Sequence, residues 1–200
     1  MATYVAERQV EYWTSNAITT FFDSLDFRCL TFPIQQRAER SIPVDHVFSV
    51  SGLVKVFGLQ YKVLYQGAPD YWSLDQQQHR DMKSYDAMYY ALSLLTAATE
   101  GHQALHALRL THPDFRYREK LYDGDGWWPK GAARMSWWEF YVGLKACHTG
   151  ALAEEPRAIL RLFAPGLDSL VGAEEVRRMT DYFAVNLEGR RLLRLTTLPQ

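Results

Sequence analysis

Cysteine is scarce in this chain of 200 residues: Cys29 and Cys147 are the only two, and neither belongs to a CxxC pair. That excludes a disulfide framework and leaves a single bridge open. Long apolar runs are missing too. No stretch reaches the roughly 18 uncharged residues a membrane-crossing helix needs, and the first residues lack the basic start and apolar run of a secretion signal. The expectation is a cytoplasmic protein that does not enter the membrane. Charge of one sign is also absent, since 22 Lys and Arg face 23 Asp and Glu for a net charge of −1. A globally basic nucleic-acid binder is thereby excluded, although a local basic patch is not. Gly-rich phosphate cradles (GxxxxGK[ST], GxGxxG), a GxSxG elbow and HExxH do not occur.

What is present is a core-forming composition. Hydrophobic residues make up 48%, and aromatics 14% with six Trp and twelve Tyr, which excludes a disordered or low-complexity chain. Residues 5–25 read as an amphipathic helix with Val10, Trp13, Ala17, Phe21 and Leu25 as its apolar stripe. A short apolar segment, 27–32, ends at Pro33, and 34–41 reads as a loop. Two strand-like runs follow, 42–50 and 53–65, joined at Ser51-Gly52 as a hairpin. After a loop at 66–70, residues 73–85 suit a polar helix with Ser73 as N-cap. The nearly uninterrupted apolar run 87–95 fits a strand buried on both faces, although a buried helix would look similar. Further helices are expected at 97–110, 136–147 and between 153 and 178, a loop-rich stretch at 111–135, and a strand at 192–198. The whole predicts an α/β fold: a small mixed sheet with flanking helices in residues 1–96, and a mostly helical extension, 97–200, packed on it.

Chemistry concentrates in the hairpin. Asp45 falls in the first strand, and Gln60 and Lys62 in the second. Strand side chains alternate, so Gln60 and Lys62 share a face, and hairpin pairing brings Asp45 beside them. A carboxylate, a carboxamide oxygen and an ammonium at one sheet edge suit metal-assisted phosphodiester hydrolysis. Mg²⁺ prefers oxygen and needs only one or two protein carboxylates besides water and phosphate. Asp45 and Gln60 are the candidate metal ligands, and Lys62 the candidate to orient water or stabilise charge on phosphorus.

The order helix, strand with Asp, strand with Gln-x-Lys, polar helix, buried strand resembles the core of the PD-(D/E)XK nuclease superfamily over roughly residues 5–95. The resemblance implies a restriction-endonuclease-like core, Mg²⁺ or Mn²⁺ as cofactor and nucleic acid, DNA before RNA, as substrate. It implies catalytic roles for Asp45, Gln60 and Lys62, with Gln60 standing where the family usually has an acid. It also implies a metal-touching Glu from the first helix, for which Glu11 is the candidate and Glu7 or Glu39 the alternatives.

Elsewhere, the Trp127-Trp128 and Trp137-Trp138 pairs interleave with Lys130 and Arg134. Aromatics beside cations can stack on bases and hold phosphates, so Trp127, Trp128, Lys130 and Arg134 are candidate nucleic-acid contacts. One Trp of each pair packing in the core is the plainer account. His102 and His106 lie four apart without a third ligand. Asp123-Gly124-Asp125-Gly126 lacks the later acids of a calcium loop and reads as a turn. A second function stands beside hydrolysis: a non-catalytic α/β domain that binds a protein or nucleic-acid partner through the aromatic-rich 115–145 region.

Overall fold

The computed structural model describes residues 3–34, 43–51, 53 and 55–152. The loop expected at 34–41 (Ile34 apart), the helices expected at 153–178 and the strand at 192–198 lie outside the described residues, as does Glu39. Helix α1 spans Glu7–Asp23. Strands β1 (Cys29–Pro33), β2 (His46–Val50) and β3 (Lys55–Lys62) then form an antiparallel meander. β4 (Leu64–Tyr65) and β5 (Tyr71–Ser73) lead to helix α2, Gln76–Met82, and α2 leads to β6, Met88–Ser93. β6 pairs in parallel with β3, Gly58 beside Met88 through Lys62 beside Leu92. A parallel neighbour requires a crossover, and α2 lies in it. Both β3 and β6 are buried almost throughout, as two-sided cover demands. The fold is therefore mixed α/β.

The stripe that faces the sheet is not the one hydrophobicity picks out. Val10, Thr14, Ser15, Ile18 and Phe22 are the buried positions of α1, while Trp13, Ala17 and Phe21 are only partly covered and Leu25 is exposed beyond the helix end. Burying Ser15 is tolerable because its hydroxyl and the Tyr61 hydroxyl bond at 2.9 Å, which satisfies both groups. Leu59, Tyr61, Tyr89 and Ala91 belong to the core cluster on this face, together with Val10, Ile18 and Phe22.

The second half departs from the helical extension expected. Residues 97–110 hold only a 3-10 segment, Ala98–Gln103, followed by strand β7, Leu108–Thr111. After β8 (Lys120–Leu121) come β9 (Met135–Ser136), helix α3 (Trp137–Lys145) and β10 (Ala151–Leu152). β7 and β9 extend the main sheet to the order β1-β2-β3-β6-β7-β9, and β10 pairs with the start of β3. The sheet thus crosses the boundary expected at residue 96, and the described residues belong to one compact unit, Met1–Leu152. Leu108 and Leu110 alternate with Arg109, a strand period that the preceding helix-like composition obscures. β4, β5 and β8 form a separate three-stranded sheet.

Cys29 is buried and Cys147 exposed, and both are free thiols. Cys147 ends α3 in the left-handed region at φ 61°. Its N–H donates to Leu144 O, and the His148 N–H to Gly143 O, the double closure of a Schellman turn. Among the described residues no helix is long and apolar enough to cross a membrane.

Candidate active site

The β2–β3 ladder ends at His46 opposite Leu59. One residue earlier the chain bends, so Asp45 sits just before β2 rather than inside a strand running from residue 42. The Asp45 N–H still donates to Leu59 O at 3.0 Å. Beyond that point its side chain takes over from the departing strand. Asp45 Oδ2 accepts the Tyr61 backbone N–H at 2.7 Å and the Gln60 side-chain amide at 2.8 Å. Asp45 and Gln60 are thus brought together as the hairpin register requires.

Gln60 is 3% exposed. With Nε2 given to Asp45, its Oε1 is buried without a hydrogen-bond partner among the described residues. An orphaned buried carbonyl oxygen costs about 1–3 kcal/mol. Lys62 lies two residues on, on the same face, and reaches an open cleft of about 450 Å³. Glu7 from the first turn of α1 lines that cleft, as do Tyr65, Ser73, Asp75 and Tyr117.

Burial raises the Asp45 carboxyl to about 7; the Tyr61 N–H opposes the rise, Glu11 adds to it, Lys62 opposes it, and Glu7 adds more weakly. The α1 glutamates therefore act on Asp45 through their negative field. Among the described residues no three His, Cys, Asp or Glu side chains gather closely enough to hold a metal ion. Mg²⁺ does not require that many, since water and substrate oxygens complete its shell. Asp45 and Gln60 bring a carboxylate and an unpartnered carboxamide oxygen to this sheet edge.

α2 covers the Gln60 face through His79, whose ring stacks on Tyr90 at 5.9 Å. Tyr90 lies beside Gln60 in the β3–β6 register. His79 Nε2 is 3.0 Å from Phe115 O and must donate, so Nδ1 accepts from the Tyr90 hydroxyl at 3.2 Å. Burial holds this imidazole below its ordinary pKa, as a neutral structural bridge. The N-cap of α2 is Asp75, which accepts the Gln78 N–H at 2.8 Å, rather than Ser73.

The aromatic segment divides. Trp127 is 58% and Trp138 62% exposed, whereas Trp137 is buried. Trp128 is half-buried and donates its indole N–H to Ala132 O. Arg134 lies over the Trp128 ring and is paired with Asp123 and Asp125, so those acids neutralise it. Lys130 is exposed. The Asp123–Gly126 turn is thereby held by arginine. His102 and His106 do not share a helical face, because the 3-10 segment ends between them.

Sequence reasoning overlooked Asp75, Tyr117 and Glu119, which line the cleft. The signal for Asp75 was its place as a capping acid before Gln76-Gln77-Gln78. Tyr117 and Glu119 carry no local signal, because the second sheet brings them to the cleft from a distant part of the chain. No family model, curated protein or solved structure matches this chain.

Proposed function

We propose that the chain is a divalent-metal-dependent nuclease with a restriction-endonuclease-like core of the PD-(D/E)XK type. The observation that carries the reading is the connectivity α1, β1-β2-β3 meander, α2 crossover, parallel β6, with Asp45 bonded to Gln60 where β2 and β3 part and Lys62 two residues on. The unpartnered Gln60 oxygen supports a cation in place of the missing donor. Asp45 and Gln60 would hold Mg²⁺ or Mn²⁺, which when bound acidifies water and polarises a phosphodiester. Lys62 orients the attacking water or offsets the charge developing on the phosphoryl oxygens. Glu7 and Glu11 deepen the negative field that attracts the cation. Tyr61 donates its backbone N–H to hold the Asp45 carboxylate in place.

The test is incubation with single- and double-stranded DNA and RNA in Mg²⁺ or Mn²⁺, with Asp45→Asn and Lys62→Ala alongside. Metal-dependent cleavage lost in both variants is expected. Cleavage that persists in either would overturn the site assignment. The carboxamide at position 60 and the small number of acids favour a second reading, a non-catalytic member of the same fold that binds its partner without cutting it. Absence of cleavage in every metal and substrate, with strand binding retained, would select that reading.

A further inference from the structure

The three-stranded sheet has two unlike faces. In its register Leu64 pairs with Trp72, and Trp72 with Leu121; these three are buried. On the alternate face Tyr65 pairs with Tyr71, and the same antiparallel register sets Tyr122 opposite Tyr71. Their rings form a continuous series. Tyr65 and Tyr71 stack at 5.7 Å, Tyr71 and Tyr122 lie 6.1 Å apart, and Tyr122 meets Trp127 at 5.4 Å. Tyr71 is the buried brace of the series and Trp127 its exposed end. One end therefore lines the cleft that Lys62 reaches, and the other stands in solvent.

Cations are interspersed along this face, while Glu7, Asp75 and Glu119 stand with Lys62 at its cleft end. Lys120 sits 4.3 Å over the Tyr71 ring, and Arg118 donates to the Trp127 carbonyl at 3.1 Å. The acids of the adjoining turn, Asp123 and Asp125, are engaged by Arg109 and Arg134. Ring faces with interspersed cations bind unpaired bases, which offer a π-face whatever their sequence, whereas paired bases in a duplex keep their faces stacked.

We propose that this surface is a platform for single-stranded polynucleotide, feeding an unpaired strand from Trp127 along the tyrosine series to the Lys62 cleft. This deepens, and rests on, the reading of the Asp45–Gln60–Lys62 centre as hydrolytic. Trp127, Tyr122, Lys120 and Arg118 are its contacts. Of Trp127, Trp128, Lys130 and Arg134, only Trp127 belongs to it.

The test measures fluorescence anisotropy of labelled oligo-dT, oligo-rU and a duplex, each about 16 nucleotides long, in EDTA so that nothing is cut. The single strands bind and the duplex binds more weakly. Trp127→Ala weakens single-strand binding about tenfold with unchanged Tm, and Trp127→Phe keeps most of the affinity. Preference between dT and rU names the sugar, and either supports the platform. Duplex binding as tight as single-strand binding, or Trp127→Ala equal to the wild type, overturns it. Because binding is read without metal, a strand that binds through Trp127 but is never cut in Mg²⁺ refutes the hydrolytic centre and leaves the platform standing.

Discussion

Replacing Asp45 with Asn is expected to stabilise the protein while abolishing cleavage, and the stabilisation should depend on pH. The side chain has a carboxyl raised from 3.8 to about 7, chiefly by burial. A folded-state pKa above the unfolded one means that the folded chain binds the extra proton between those values. Stability is therefore fully present below the unfolded pKa and falls as pH rises through the folded one. At 1.36 kcal/mol per pKa unit, the raised carboxyl costs the fold on the order of 4 kcal/mol at pH 8, where it is ionised, and about 1.5 kcal/mol at pH 5, where it holds its proton. Asn is uncharged, and its Oδ1 accepts the same two bonds that Tyr61 and Gln60 now give to Oδ2. Urea unfolding of wild type and Asp45→Asn in EDTA, at pH 5 and pH 8, measures the difference. The variant should be more stable at both, with the larger gain at pH 8. Added Mg²⁺ should then stabilise the wild type and not the variant, since a ligand that binds only the folded state raises stability by mass action. An equal gain at both pH values, or a loss at pH 8, would refute the view that a costly buried charge is kept here for function.

Gln60→Glu should lower Tm in EDTA, because it sets a second carboxylate against Asp45 at the present 2.8 Å contact, and Mg²⁺ should restore it by more than it raises the wild type. A Tm indifferent to Mg²⁺ in that variant would remove Gln60 from the metal site. Gly58→Ala should cost about 1–3 kcal/mol in denaturation and lower kcat. Its Cβ would meet the Val44 methyls at 3.1 and 3.2 Å, and Val44 is fully buried beside Asp45; unchanged stability and rate would show that Val44 is free to yield. Cys147→Gly should stabilise the chain by about 1 kcal/mol, because φ of 61° strains any residue with a Cβ. Thermal unfolding checks it, and a fall in Tm would mean the Cys147 side chain contributes more than its backbone costs.

Local patterns reveal parts of this molecule and hide others for identifiable reasons. The buried strand at β6 was legible only as one of two readings, because a nearly uninterrupted apolar run suits a strand covered on both faces and a buried helix alike. The hairpin of β2 and β3 was legible through Val and Phe enrichment around Ser51-Gly52. Together they placed Asp45 on the face of Gln60 and Lys62 but did not fix its partner: a two-residue Ser51-Gly52 turn would set Asp45 opposite Gly58, whereas Val50 pairs with Lys55, and that register carries Asp45 to Gln60. The buried face of α1 was misjudged because Ser15 replaces an apolar residue there, and the bond that makes this tolerable comes from Tyr61, which lies 46 residues away. β7 reads as helix from the sequence because four residues give too short a period to outweigh the Ala-rich stretch before it.

The site was legible to the same depth and no further. Gln60-x-Lys62 declares a shared strand face, but no spacing declares that Gln60 turns its amide to Asp45 and leaves its oxygen unpartnered. The carboxamide braces Asp45 through Nε2, and its oxygen is one of several buried polar atoms without a partner among the described residues, His46 Nδ1 beside Asp45 and the Gln78 carboxamide oxygen included. Here a raised carboxyl and an orphaned oxygen occupy adjoining positions, each unfavourable in the empty protein and each favourable toward a hard cation. On the proposed reading, a cation bound at this sheet edge relieves both costs at once.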